Sequence, residues 1–255
     1  MQHFDSDGVD IAYDDVGEGA PILLIHGFAS NSRVNWVDTG WVKDLVRAGR
    51  RVVTVDNRGH GESEKLYDPE MHGSDIMAED ADRLLRHLEI EKADVVGYSM
   101  GARIAAFLAM RHPERVQSVV FSGLGINMIR GVGESEPIAR ALEAEDASGI
   151  SDPNAWAFRK FADQTKSDRK ALAACIRSAR QPITEEQVAT IQVPVLVAVG
   201  SGDDVGGSAE ELSRLIPNGQ AFVIEGRNHM QAVGDRTHKA AVLEFLRDHG
   251  LGAAA

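Results

Sequence analysis

The chain has 255 residues, 43% of them hydrophobic and 26% charged, values that fit one well-buried globular domain with room for an insertion. A formal net charge of -12 argues against nucleic acid or an anionic membrane surface as a partner, because both require a basic face. The single cysteine, Cys175, excludes an internal disulfide framework and a cysteine-rich zinc site, and its helical setting marks it as a packing residue.

The first seven residues are polar and acidic, unlike a signal or transit peptide, and no apolar run approaches the ~18 residues that span a bilayer, so a cytoplasmic location is expected. Val9 to Tyr13 alternates apolar and polar before Gly17-Glu18-Gly19, which predicts an antiparallel edge strand and a turn. Pro21 to Ile25 is continuously apolar, as in a strand buried on both faces, and it ends at His26-Gly27-Phe28. A polar loop from Ala29 to Asn35 follows, then Trp41, Leu45 and Val46 at helical spacing, then a second buried strand, Arg51 to Val55. Ser74 to Leu88 is amphipathic at helical period, with Ser74 and Asp75 supplying its N-cap.

Ala93 to Gly97 is the next buried strand, and Ala102 to Met110 reads as a helix. Between them stands Gly97-Tyr98-Ser99-Met100-Gly101. Glycines let backbones pass closely through a sharp strand-to-helix turn, which lifts the serine hydroxyl to the end of the strand. The helix N-terminus behind it favours developing negative charge. His112-Pro113-Glu114 closes the helix, and Val116 to Ser122 is another strand. Strands and helices alternate to this point, the rhythm of a parallel sheet with right-handed crossovers.

The rhythm then breaks. Gly123, Gly125, Gly131 and Gly133 punctuate a stretch that leads into helical patterns at Pro137 to Glu145, Asn154 to Thr165, Asp168 to Arg180 and Glu185 to Thr190. Residues 123–190 therefore read as a helical cap inserted into a core made of 1–122 and 191–255, in preference to ordinary packing helices. Strands return at Val193 to Val199 and Ala221 to Ile224, with helices at Ser208 to Leu215 and Arg236 to His249.

A serine hydroxyl is a poor nucleophile unless a base takes its proton, and that base needs an orienting carboxylate. The two late strands run into Gly200-Ser201-Gly202-Asp203-Asp204 and Gly226-Arg227-Asn228-His229-Met230, at the strand ends where this architecture places functional groups. Among the other histidines, His3, His72, His87, His112, His238 and His249 fall in the polar amino terminus or in helical and exposed contexts. On these motifs the chain resembles the α/β-hydrolase fold enzymes, the group that includes esterases, enol-lactonases and C–C bond hydrolases.

The resemblance covers nearly the whole chain outside the cap. It implies a mostly parallel eight-stranded sheet flanked by helices, with a small helical cap. It implies Ser99 as nucleophile, His229 as base and Asp203, by its spacing in Gly-x-x-Asp, as the orienting acid in place of Asp204. It further implies an oxyanion hole from the backbone N–H groups of Phe28 and Met100, with His26 shaping that turn and His60 in a structural role. Serine at position 99 disfavours dehalogenase and epoxide-hydrolase chemistry, which uses aspartate there.

The function so implied is hydrolysis of a small carboxylic ester or lactone, with no cofactor and no metal. C–C cleavage of a diketone-type ring-fission product and cofactor-free perhydrolysis use the same triad and stay open, as does a small-molecule receptor. Trp156, Phe158, Phe161 and Ile176 are candidates to line the pocket but have the spacing of packing residues. Arg159, Arg177 and Arg180 are candidates to meet a substrate carboxylate, on a face whose charges are more often solvated. The oligomeric state is not legible.

Overall fold

The computed structural model describes residues 1–252, and its centre is a single eight-stranded sheet in the order β1-β2-β4-β3-β5-β6-β7-β8. The strands are β1 (Gln2–Asp5), β2 (Asp10–Val16), β3 (Ala20–Ile25), β4 (Arg50–Val55), β5 (Ala93–Tyr98), β6 (Val116–Ser122), β7 (Val195–Gly200) and β8 (Gly219–Ile224). β1 and β2 pair antiparallel with each other and β2 antiparallel with β4; every other pairing is parallel.

Parallel strands must be covered on both faces, and the period-2 alternation of side chains shows how. Leu23, Ile25, Val53 and Val95 point into one apolar cluster, shared with α2 (Ser74–His87) and α3 (Met100–Arg111). Ile22, Leu24, Val52 and Val96 point into the other, closed by Trp41 and Leu45 of α1 (Trp41–Arg47) and by Val242, Phe245 and Leu246 of the C-terminal helix Arg236–His249.

Five helices lie between β6 and β7: α4 (Asn127–Arg130), α5 (Glu136–Glu143), α6 (Pro153–Gln164), α7 (Arg169–Ser178) and α8 (Glu185–Val188). α5 packs on α6 and α7, while α8 packs on α3. Asp152 and Asp168 cap α6 and α7, Asp152 accepting from Ala155 N–H and Asp168 from the N–H groups of Lys170 and Ala171. After β7 come α9 (Ala209–Ser213), then α10 (His229–Ala232) and α11 (Arg236–His249) beyond β8. No helix among the described residues is long and apolar enough to cross a membrane.

Three sequence expectations need correction. The edge strand is β1, not the strand at Val9 to Tyr13. Phe4 is its one buried residue, stacked on His87 and edge-on to Tyr13, too little apolar signal to be read from the sequence. The N-cap of α2 is Gly73; Ser74 lies inside the helix and its hydroxyl donates to the Ala179 carbonyl at 2.5 Å. His72 and His238 are buried rather than exposed, and His238 bridges Ser122 Oγ (2.9 Å) and the Ala232 carbonyl (3.0 Å).

The strand order places a topological switch between β3 and β5. The chain leaves β3 for β4 on one side, and it returns through α2 to β5 on the other. In open α/β sheets the crevice beyond the strand ends at such a point receives ligands. Here it lies between His26-Gly27-Phe28 and Tyr98-Ser99. A Cβ at Gly97 would fall inside the van der Waals radius of the Gly101 carbonyl oxygen, and one at Gly101 inside that of Ile25. Both glycines are therefore required for α3 to pack on β3 and β5.

Gly101→Ala is expected to lose about 2 kcal/mol or more of stability, read as a lower urea midpoint, because the clash is with backbone that cannot rotate away. A second expectation concerns acid. Burial holds His26, His60, His72 and His238 below the ordinary histidine value of 6.5, His238 at about 4. The unfolded chain then binds more protons than the folded one between these values, so stability falls as pH is lowered through this range. The urea midpoint should drop between about pH 7 and pH 5, above the carboxylate range, and a flat midpoint there would contradict the buried neutral rings.

Candidate active site

Ser99 sits at the junction of β5 and α3 with φ 55° and ψ −112°, one of few non-glycine residues of positive φ in the chain. The conformation costs on the order of 1–3 kcal/mol and persists where surrounding contacts over-determine it. Those contacts are a hydrogen bond from Ser99 N–H to the Ser122 carbonyl (2.7 Å) and the close approach at Gly97 and Gly101. The result is a half-buried hydroxyl beyond the sheet edge.

His229 begins the short helix α10, whose Asn228 side chain accepts from the N–H groups of Met230 and Gln231. His229 Nε2 lies 3.0 Å from Ser99 Oγ, and its Nδ1 lies 2.8 Å from Asp203 Oδ2. The other Asp203 oxygen accepts from the N–H groups of Val205 (3.0 Å) and Gly206 (2.8 Å), so the carboxylate is fixed in the turn after β7. Asp203 is buried, whereas Asp204 is exposed. With Nδ1–H given to the carboxylate, Nε2 is left as acceptor for the serine proton, the tautomer that a base requires. The phenol of buried Tyr98 donates to the His229 main-chain carbonyl and so ties the His229 loop to the residue before Ser99. Burial and the nearby Asp203 charge push the Tyr98 phenol well above its ordinary range, which keeps it a donor.

Opposite Ser99, the turn after β3 is braced from a segment that the sequence shows only as polar loop. Residues Arg33–Val37 form a wide helical turn in which Asp38 N–H donates to the Arg33 carbonyl (2.9 Å). Buried Asn35 in that turn accepts from Gly27 N–H at 3.2 Å. Among the described residues, the main-chain N–H groups of Phe28 and Met100 serve no turn, cap or loop bond. The His26 ring lies tilted against that of His60, centroids 5.2 Å apart, and its Nε2 accepts from Asn57 N–H at 3.0 Å, so both rings act as scaffold beneath the turn.

Two cavities open on Ser99. The larger, about 550 Å³, is lined by Phe28, Val34, Trp156, Phe158, Phe161, Met230 and Val233 as well as by Ser99 and His229. Three of the four side chains proposed as lining, Trp156, Phe158 and Phe161, thus line it, despite their packing-like spacing. The fourth, Ile176, lines the smaller cavity of about 40 Å³ beside Met100. Phe28 and Phe158, ring centroids 5.5 Å apart, belong to both.

Of the arginines proposed for a substrate carboxylate, Arg159 is consumed by Asp163 and the Ala141 and Ala144 carbonyls, and Arg177 by Glu136 and Glu143. Only Arg180 reaches a cavity at Ser99. Arg103, which sequence reasoning passed over, lines the same cavity. Its position four residues after Ser99 on a predicted helix was the available signal. Cys175 is fully buried against Met100, Sγ to Sδ 3.9 Å, and burial pushes its thiol up, as expected of a packing residue.

The model of the α/β hydrolase fold matches residues 20–148. The 2-hydroxymuconate semialdehyde hydrolase of Pseudomonas sp. (strain CF600) is 36% identical over 137 residues, 54% of this chain and 45% of that protein, so the similarity spans under half of that relative. The putative non-heme bromoperoxidase BpoC of Mycobacterium tuberculosis (strain CDC 1551 / Oshkosh) is 30% identical over 249 residues, 87% of this chain and 91% of that one. Among solved structures, Est816, described as an N-acyl homoserine lactone degrading enzyme, superposes with a TM-score of 0.76 at 25% identity, covering 96% of this chain and 99% of its own.

Tyr98→Phe removes the donor to the His229 carbonyl while keeping the ring. It is expected to lower stability by about 1 kcal/mol, measured by urea denaturation.

Proposed function

This chain belongs to the α/β-hydrolase fold family, and from that premise we propose that it is a serine hydrolase cleaving a small carboxylic ester or lactone through an acyl-enzyme intermediate. The observation that carries the reading is the continuous hydrogen-bonded line from Ser99 Oγ through His229 to Asp203, at 3.0 Å and 2.8 Å, at the mouth of a 550 Å³ apolar cavity.

In this reading Ser99 Oγ attacks the substrate carbonyl carbon as His229 Nε2 takes the hydroxyl proton. Asp203 holds the imidazole tautomer and offsets the charge that forms on it. The carbonyl oxygen, now negative, meets the otherwise unused N–H groups of Phe28 and Met100, with α3 pointing its N-terminus at the same spot. Collapse of the tetrahedral species expels the alcohol, which receives its proton from His229. Water then enters, gives a proton to His229, attacks the acyl carbon and releases the acid with Ser99 restored. For a lactone the alcohol stays tethered to the acid, and the sequence of steps is the same.

The helices between β6 and β7 would act as the cap, residues 123–190 over a core of 1–122 and 191–255, because α6 supplies Trp156, Phe158 and Phe161 to the cavity wall. Only nearby main-chain and side-chain groups are needed for these steps, and the reading requires no metal or organic cofactor.

C–C bond hydrolysis of a diketone-type ring-fission product is the second reading. It is favoured by the 36% identity to a 2-hydroxymuconate semialdehyde hydrolase over residues shared with this chain. A panel of short-chain 4-nitrophenyl esters and lactones, assayed beside a dienoate ring-fission product, separates the two by which class turns over.

Ser99→Ala should lower 4-nitrophenyl ester turnover by about a thousandfold or more with the folded state retained, and Asp203→Asn should lower it by a comparable factor through loss of the correct tautomer. Turnover at the unaltered rate in the Ser99→Ala protein would overturn the assignment.

A further inference from the structure

Among the described residues, buried arginines are paired with aspartate, with one exception. Arg50 meets Asp94, Arg58 meets Asp80 at 2.6 Å, and Arg159 meets Asp163 at 3.0 Å. Arg103, 3% exposed, has no carboxylate within 4.0 Å among the described residues. Its Nη1 donates to the carbonyls of Met128 (2.8 Å) and Gln181 (2.6 Å), while its Nε and Nη2 donate to no protein group described. A buried charge without a counter-ion is costly and is retained where something else neutralises it.

The second cation beside it sharpens the point. Arg180, two residues past α7, also lacks a carboxylate partner among the described residues and gives only its Nη1, to the carbonyls of Gly133 (3.1 Å) and Glu134 (3.2 Å). Both guanidinium groups line the cavity of about 40 Å³ that opens on Ser99, with Leu124, Val132 and Ile176 as its apolar walls. Two like charges thus share a small recess in a protein of net charge -12. Burial and the neighbouring Arg180 already hold the Arg103 guanidinium down, at about 10.

We propose that Arg103 and Arg180 form an anion subsite that binds a carboxylate of the substrate, so that the molecule cleaved at Ser99 is an acid-bearing ester or lactone with the carboxylate in the small recess and its apolar part in the large cavity. The free guanidinium edges present paired N–H donors, the fork that matches a carboxylate. The scissile carbonyl lies between the two cavities because Ser99 lines both.

The proposal deepens the serine-hydrolase reading and rests on it for the position of the scissile bond, so its test uses binding rather than turnover. Monomethyl glutarate and its neutral counterpart dimethyl glutarate are titrated calorimetrically into the Ser99→Ala protein near neutral pH. The acid is expected to bind about tenfold tighter or better, with a Kd that weakens as salt is raised. Introducing Arg180→Gln into the same background should close most of that gap. Arg180 is chosen because Arg103 also ties α3 to Met128 of α4 and to Gln181, and its loss risks the fold.

Equal binding of acid and diester, or a gap that survives Arg180→Gln, would overturn the subsite. In the otherwise unaltered protein, mono-4-nitrophenyl glutarate should exceed 4-nitrophenyl valerate in kcat/KM by a similar factor. If neither ester turns over while the binding gap stands, the hydrolase reading fails and the anion subsite does not.

Discussion

The left-handed backbone at Ser99 is the constraint on which the rest of the site depends. A serine with φ 55° is disfavoured in isolation, and here it is held by the fit of α3 into the angle between β5 and β3. That fit exists only because residues 97 and 101 lack side chains. The same crossing sets the Met100 amide at the start of α3, aims the helix axis at the strand ends, and brings Phe28 from the neighbouring strand to the opposite side of the hydroxyl. Burial of the β3 and β5 side chains on both faces of the sheet supplies the stabilisation that offsets the strain, through about 25 cal/mol per Å² of apolar surface removed from water.

Much of this was legible in the residues because it rests on periodicity and on glycine. The continuous apolar run at 21–25 and the apolar-rich stretches at 93–97 and 116–122 became central strands, and the strand ends after 200 and 224 carry Asp203 and His229. What was not legible depends on contacts between segments remote in sequence. β1 carries one inward residue, Phe4, whose partners are Tyr13 and His87. The burial of His238 is fixed by Ser122 and by Trp41 packed edge-on to its ring, neither of which is visible from its place in a charged helix. Asn35 looked like loop polarity and is in fact the brace of the turn at Gly27. Phe158 and Phe161 have the spacing of core residues, and they do pack against the core; they also face the cavity, a double role that spacing alone does not resolve.

The electrostatics divide along the same line. Salt bridges on the surface of α5 and α7, such as Arg177 with Glu136 and Glu143, are exposed pairs of small individual worth. The buried pairs, Arg50 with Asp94 and Arg58 with Asp80, are different in kind. Asp94 also accepts from Ser118 and Leu251, and Asp80 from Ser6, so each carboxylate gathers distant segments around one desolvated charge. Asp203 follows the same pattern, with two backbone donors on one oxygen and His229 on the other. Against that background the two guanidinium groups behind Ser99 stand out by what they lack.

The link from Ser99 to His229 joins residues 130 apart in the chain, and the Tyr98 phenol spans 131 to reach the same loop. Closures of that length are entropically expensive and form after local structure has organised. A polypeptide emerging from its amino terminus displays the elbow, its helix and most of the sheet well before the histidine has been synthesised. Ser99 Oγ therefore spends that interval without the His229 imidazole beside it. The hydrogen-bonded line Ser99–His229–Asp203 forms only when the last strand and the loop beyond it dock, so its appearance reports completion of the whole architecture.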